Sequence, residues 1–145
     1  MFNASEDAED AFYAAFSAGA LEDMMQVWAP QDDIVCIHPG GPRLMGLREI
    51  RQSWAQILSG ALPRSFALRG RIVSGDASQR IHLLEENISV PGTAFIAPPI
   101  LATNIYRRLS DGWRLVMHHA SVAPSSVSQG GPGTLGQGKA DSRLH

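Results

Sequence analysis

The sequence predicts a single α+β domain in which three helices are packed against a mainly antiparallel sheet. Over about the first 60 positions apolar residues recur at helical spacing, apart from one short β-branched run. From about residue 64 apolar and polar residues alternate with a period of two, which is typical of strands with one buried face. Helices grouped before strands favour helices that cover one face of an antiparallel sheet.

The three predicted helices each carry an apolar stripe that is followed by a stop signal. The first lies in "AEDAFYAAFSAG" and ends at Gly19, and the second lies in "LEDMMQVWAP" and ends at Pro30. The third lies in "LREIRQSWAQILSG" and ends at Gly60. Glycine adopts the left-handed conformation that closes many helices, and proline cannot continue one.

Five strands are predicted from β-branched content and alternation. The first is the short run Ile34–His38, which Pro39-Gly40-Gly41 ends. Longer strands cover about residues 64–74, 80–90, 100–109 and 113–122. "PGTAFIAPP" is a loop because two consecutive prolines cannot sit in a central strand. Ser110-Asp111-Gly112 predicts a hairpin between the last two strands.

Composition narrows the classes of function. The formal net charge of −2 and the absence of a dense Lys/Arg block argue against a nucleic-acid partner. No apolar run approaches the ~18 residues that span a membrane, and the acidic N-terminus does not resemble a secretory signal. Cys36 is the only cysteine, so no internal disulfide can form. We expect a cytoplasmic protein with one domain at 1–123 and a disordered Gly/Ser-rich tail at 124–145.

Three stretches in this order resemble the SnoaL-like branch of the nuclear transport factor 2-like superfamily, which has the ketosteroid isomerase-like fold. They are "AFSAGALEDMMQVWAPQDDIVCIHPGG", "GLREIRQSW" and "ATNIYRR…DGWRLVMHHAS", and the resemblance covers about residues 5–123. It implies a cone with a mostly apolar pocket, a small apolar, polyketide-like or steroid-like ligand, and a homodimer formed through the sheet. The same fold occurs in isomerases, cyclases, dehydratases, epoxide hydrolases and non-catalytic adaptors, so the fold alone does not determine the function.

The adjacent histidines His118 and His119 must face opposite sides of a regular strand, so we predict no shared metal ion. A two-residue Asp111-Gly112 loop would place Asn104 opposite His119, whereas a three-residue loop would pair Asn104 with His118. We predict the first register, with His119 facing the pocket. The alternative for His119 is a core imidazole that bonds Asn104 or a backbone carbonyl.

The face of this hairpin that carries His119 also carries Tyr106, Leu115 and Met117. We predict that this face lines the pocket, because apolar residues with a few polar groups suit a pocket wall. The other face, with His118, Thr103, Ile105 and Val116, is predicted to form the dimer interface.

His38 and Asn104 are the main candidates for proton transfer. "VCIHP" resembles the segment of ketosteroid isomerases that carries the general-base aspartate, and a histidine can serve as a base near neutral pH. The alternative for His38 is a residue that caps the turn. Asn104 falls where those isomerases have a protonated aspartic acid, so the resemblance implies a hydrogen-bond donor to an enolate. Their oxyanion tyrosine is replaced by Phe12, with Tyr13 one step round the helix, which argues against ketosteroid isomerase activity itself.

Glu86 is predicted to face inward and to support one of the histidines, with a raised pKa. The alternative is an ion pair with an arginine such as Arg108. Predicted ligand-contacting residues are Phe16, Trp28, Trp54, Tyr106 and Met117. No strand–GxGxxG–helix or P-loop pattern is present, so no cofactor is predicted. Two functions stay open: a cofactor-free isomerase, cyclase or lyase, and a ligand-binding or protein-interaction module without chemistry.

Overall fold

The computed structural model describes residues 1–60 and 63–124. The predicted tail lies outside the described residues from 125 onward, so its disorder stays a prediction. The elements within the described ranges are α1 (Ser5–Ala18), α2 (Leu21–Val27), β1 (Val35–Ile37), β2 (Leu44–Met45), α3 (Gly46–Leu58), β3 (Ser65–Gly75), β4 (Gln79–Ser89), β5 (Ile100–Leu109) and β6 (Gly112–Val122).

The strands form one sheet in the order β2-β1-β6-β5-β4-β3. β1 runs parallel to β6, and the other neighbouring pairs are antiparallel. α1 contacts β3, β5 and β6, while α3 contacts β1 and β2. The predicted α+β class and the mainly antiparallel sheet are confirmed. Strand β2 was not predicted, because two residues are too few to show alternation.

Two bulges interrupt the regular pairing of the long strands. One lies in β3 between Arg69 and Ile72, where Gly70 has a φ of 64°. The other lies in β6 at Val116, opposite the step from Ile105 to Tyr106. A bulge adds one residue to one strand, bends it and increases its twist. Both irregularities therefore favour a sheet that bends rather than stays flat.

The core lies between the sheet and the helices. Large apolar side chains from every helix are fully buried there, including Phe12, Met24, Ile50 and Trp54, and so is Trp28, which follows α2. The same interior also encloses the polar side chains Glu9, His82, Glu86, Asn104 and His118. None of the described helices is long and apolar enough to cross a membrane.

Candidate functional site

The hairpin of β5 and β6 places His118 inside the fold and His119 outside it. Asn104 pairs with His118, and Ile105 pairs with Met117. His118 is 2% exposed, whereas His119 is exposed. The predicted register and the inward position of His119 are therefore wrong. The two-residue loop is Ser110-Asp111 rather than Asp111-Gly112, and this difference alone would leave each residue of β6 on its predicted face. The bulge at Val116 adds one residue to β6, so every residue beyond it points to the opposite face.

The same bulge corrects two other expectations about this strand. Met117 lies on the outer face with His119, so neither belongs to an interior site, and Val116 is buried rather than at an interface. Tyr106 lies on the turn side of the bulge, so it keeps the inward direction that was predicted for it and is fully buried in the core. His118 and His119 point to opposite faces and cannot share a metal ion. Among residues 1–60 and 63–124, no three His, Cys, Asp or Glu side chains are grouped closely enough to hold one.

A buried carboxylate, Glu9 on α1, is the centre of the interior polar network. It is 0% exposed, accepts hydrogen bonds from three side chains and forms an ion pair with a fourth. The hydrogen-bond donors are His82 Nδ1 at 3.0 Å, Asn104 Nδ2 at 3.1 Å and Tyr106 Oη at 3.0 Å. The ion-pair partner is Arg71, whose Nε atom lies 3.1 Å from Glu9 Oε1. Burial alone would raise the pKa of Glu9, but the bonds from His82, Asn104 and Tyr106 outweigh it and lower the pKa.

Asn104 joins this network to His118 and has no free donor. Its Nδ2 group donates to Glu9 and, at 3.0 Å, to Tyr13 Oη. Its Oδ1 atom lies 2.6 Å from His118 Nδ1. An amide nitrogen carries two protons, so both are used within the protein. The arrangement does not leave Asn104 able to donate to a bound enolate, which is the role that the resemblance implied.

Glu86 on β4 is buried and faces inward, as predicted, but its partner is a tyrosine. Tyr13 Oη donates to Glu86 Oε2 at 2.6 Å, and Arg108 is exposed on its strand. The alternative considered above, an ion pair between Glu86 and an arginine such as Arg108, is therefore not formed. Burial raises the pKa of Glu86 to about 7, against the lowering effect of the Tyr13 bond and with a further rise from the charge of Glu9.

The Glu86→Gln variant should remove one pH dependence of stability. The pKa of Glu86 is about 7 in the fold and about 4.5 in the unfolded chain, so between these values the folded state holds the proton more tightly. The free energy of unfolding should therefore fall by up to about 3 kcal/mol as pH rises through this window, and the variant should lack this fall. Urea unfolding of both proteins at about pH 5 and pH 8 checks it. An equal difference between them at both pH values would contradict the assignment.

His38 follows β1 directly and is the half-buried member of the candidate set. Its Nε2 atom lies 3.0 Å from Ser53 Oγ on α3. Ser53 donates its own proton to the Ile50 carbonyl, so it accepts the Nε2 proton of His38. The Nδ1 atom of His38 is then unprotonated. The turn that follows is closed by the backbone carbonyl of His38, which accepts from Gly41 N at 2.8 Å, and the side chain does not cap it.

An aromatic wall surrounds the two inward histidines. Trp54 lies 4.9 Å from His38, 6.2 Å from His118 and 4.8 Å from Phe16, measured between ring centroids. Phe12 lies 5.0 Å from His118. Of the predicted ligand contacts, Phe16 and Trp54 therefore belong to this wall. Trp28 instead forms a backbone β-bridge with Leu115 on β6. The hydroxyl of Tyr106 donates its hydrogen bond to Glu9.

Several residues of this interior were not predicted: Glu9, Arg71, His82, Ser5 and Ser53. A signal for two of them was present in the sequence. Glu9 and Tyr13 are four residues apart on the same apolar helix stripe, and His82 shares the period-two face of Leu84 and Glu86. For Arg71, no local sequence pattern shows that its Nε atom lies beside a carboxylate on α1.

Comparison with known proteins identifies the family. The family model described as a SnoaL-like domain matches residues 6–125. A solved structure from Thiobacillus denitrificans, described as a calcium/calmodulin-dependent protein kinase type II association domain, is 40% identical. It has a TM-score of 0.81, with 86% of this chain and 98% of that chain covered. A structure from Streptomyces avermitilis, described as a dehydratase from the NTF2-like family, is 32% identical with a TM-score of 0.74, covering 83% and 94% of the two chains.

A curated relative extends the similarity to plants. The F-box protein SKIP8 of Arabidopsis thaliana is 26% identical over 114 residues, which cover 77% of this chain. The chain spans about half the length of that protein, 46%. The match of the family model spans the helices and strands described above, apart from the first residue of α1. The chain belongs to the SnoaL-like domain family of the nuclear transport factor 2-like superfamily.

Proposed function

We propose that this SnoaL-like domain binds a small, neutral, largely apolar molecule in its cone and transfers a proton on it without a cofactor, as an isomerase, cyclase or lyase does. The observation that carries the proposal is the geometry of His38. Its ring is half-buried against Trp54, its Nε2 atom lies near Ser53 Oγ and Cys36 Sγ, and its Nδ1 atom has no hydrogen-bond partner among residues 1–60 and 63–124. A fixed, neutral imidazole at an apolar wall is the arrangement that general-base catalysis uses.

The protonation state of His38 suits this role. Burial lowers the pKa of His38 from its ordinary value near 6.5, so the ring is neutral at pH 7. In the proposed step a C–H bond next to a carbonyl breaks and an Nδ1–H bond forms. The electron pair moves onto the carbonyl oxygen, which needs a donor. Trp54 Nε1 is a buried N–H without a partner in the described residues and is the donor we propose in place of Asn104.

The other interior groups support the histidines from behind. Glu86, Tyr13 and Asn104 form a hydrogen-bonded chain that ends on His118. This is the supporting role for a histidine that the sequence suggested for Glu86, now directed at His118. Phe12, Phe16 and Trp54 would supply most of the affinity for an apolar ligand.

Deuterium exchange tests the proposed activity without knowledge of the natural substrate. The purified protein is incubated in D₂O with acetophenone, α-tetralone and cyclohexenone, and loss of the α-proton signals is followed by ¹H NMR. We expect exchange of at least one ketone above the rate in buffer alone. If all three exchange at the buffer rate, proton transfer at carbon is not the activity of this site.

A binding or interaction module without chemistry is the second candidate. Mutual pairing of Glu9, Asn104 and Tyr106 favours it, because satisfied buried polar groups often serve only to specify the fold. The Thiobacillus relative described as an association domain points the same way. Binding of the ketones without exchange would support this candidate over the enzyme.

We also propose a homodimer, formed through the outer face of the sheet. Leu83 and Leu101 lie on this face and are 42% and 45% exposed. They line a groove of about 480 Å³ together with Thr103 and His119. Exposed apolar patches of this kind usually mark an interface. We further propose that the protein works in the cytoplasm and, given its net charge, without a nucleic-acid partner.

The Leu101→Arg variant should convert the dimer to a monomer, because two copies of the new charge would be buried near the two-fold axis. Light scattering at micromolar concentration measures the mass. Met45→Arg is the control, since Met45 is 48% exposed on the edge strand β2, which is separated from β5 by β1 and β6. A wild-type protein that is already monomeric would contradict the proposed dimer.

A further inference from the structure

The orientation of the Asn104 side chain is fixed from two sides. Glu9 is an ionised carboxylate that only accepts, so it must face the Nδ2 group of Asn104. Tyr13 gives its single proton to Glu86, so it also accepts from Nδ2. A flipped amide would set an oxygen against the carboxylate of Glu9. The Oδ1 atom of Asn104 therefore faces His118.

This orientation decides where His118 carries its proton. The distance of 2.6 Å between His118 Nδ1 and Asn104 Oδ1 is a hydrogen bond, and an amide oxygen can only accept. Nδ1 must then carry the proton. Burial, with the nearby charges of His38 and His119, lowers the pKa of His118 to about 3, so the ring holds no second proton at pH 7. Its Nε2 atom is left with a lone pair.

The neighbours of His118 are mainly aromatic rings, and none of the described residues donates a hydrogen bond to its Nε2 atom. The rings around it are Phe12 at 5.0 Å, Trp54 at 6.2 Å and His38 at 6.3 Å, measured between centroids. His119, the next residue, points to the other face of the sheet. Among the described residues, the one side-chain hydrogen bond of His118 is that to Asn104.

We propose that the chain Glu86–Tyr13–Asn104 holds His118 in the Nδ1–H form, so that its Nε2 atom accepts a hydrogen bond from the ligand and selects a neutral molecule that carries a hydroxyl or N–H group. The inference rests on the proposed function, since it places the ligand in the cone. An anionic ligand is disfavoured at this position, because the nitrogen lone pair offers it no proton.

The protonation of His118 is measured directly by ¹⁵N NMR of the histidine rings in the ligand-free protein. We expect a protonated Nδ1 and an unprotonated Nε2 at pH 7. Asn104→Gln keeps both the amide oxygen that accepts and the amide nitrogen that donates, so it should retain this form, whereas Asn104→Leu should give a mixture of the two tautomers. His119 should not change in either variant. A wild-type His118 protonated on Nε2 overturns the inference, even if the variants fail to fold.

The ligand class is tested with phenol and anisole, which differ in that methylation removes the hydroxyl proton. One hydrogen bond should change the ratio of their affinities by about 3- to 10-fold. We therefore expect the preference for phenol to fall by this factor in His118→Phe and to stay unchanged in His119→Phe. Binding of both probes with a ratio that His118→Phe does not alter overturns the inference and leaves the proposed function standing. If neither probe binds at millimolar concentration, the cone is not an apolar ligand site and both proposals fail.

Discussion

The His38→Ala variant should lose about 10²- to 10⁴-fold in the rate of ketone α-proton exchange, since a general base contributes this much. Its KM should stay within a few-fold of wild type, because ground-state affinity comes mainly from the aromatic wall of Phe12, Phe16 and Trp54. ¹H NMR in D₂O measures the rate, and circular dichroism checks that the variant is folded.

His119→Ala is the matched control for that experiment. His119 is exposed on the outer face of the sheet, so its loss should leave the exchange rate unchanged. A slow His119→Ala variant with a fast His38→Ala variant would move the site to the outer groove and contradict the assignment of the base.

The Glu9→Ala variant should lose about 3–5 kcal/mol of folding free energy, the usual cost when one partner of a buried charged pair is removed. The variant leaves Arg71, His82, Asn104 and Tyr106 without their common partner. Urea unfolding at pH 7 measures the loss. Glu9→Gln should lose less, because an amide oxygen can still accept some of these bonds.

Asp10→Ala is the control for the Glu9 variant. Asp10 is the next residue on α1 and is exposed, so its removal should change stability by no more than about 0.5 kcal/mol. A loss below about 1 kcal/mol in Glu9→Ala would show that the network contributes little net stability and that its donors find other partners.

Periodicity and turn residues were enough to predict the order of the long elements. The stripe from Ala8 to Phe16 is α1, and Gly19 ends that helix with a φ of 69°. The four long strands lie close to their predicted positions, because an α+β domain must alternate buried and exposed residues along each strand. Glu86 could be placed inside by the same alternation.

The Val116 bulge explains why the histidine pair was assigned to the wrong faces. Val116 is β-branched and looks like any strand residue, and no glycine or positive φ marks the bulge in β6. Counting outward from the hairpin therefore gives the wrong face for every residue beyond it. The bulge alone explains why His118 lies in the interior and His119 lies on the outer face.

The polar network could be predicted only in part, because its members come from distant segments. Glu9 lies 73 positions from His82 and 97 from Tyr106. Single-sequence patterns place residues on a face but do not say which buried donor meets which carboxylate. The sequence therefore could not show that both amide protons of Asn104 are bound by Glu9 and Tyr13.

The position of a bound small ketone is the most direct test of the central claim that the cone interior is the ligand site. Intermolecular NOEs between acetophenone and the protein measure it. We predict NOEs to Trp54, Phe16 and His38. NOEs confined to Leu83, Leu101 and Thr103 would place the molecule in the outer groove and contradict the claim.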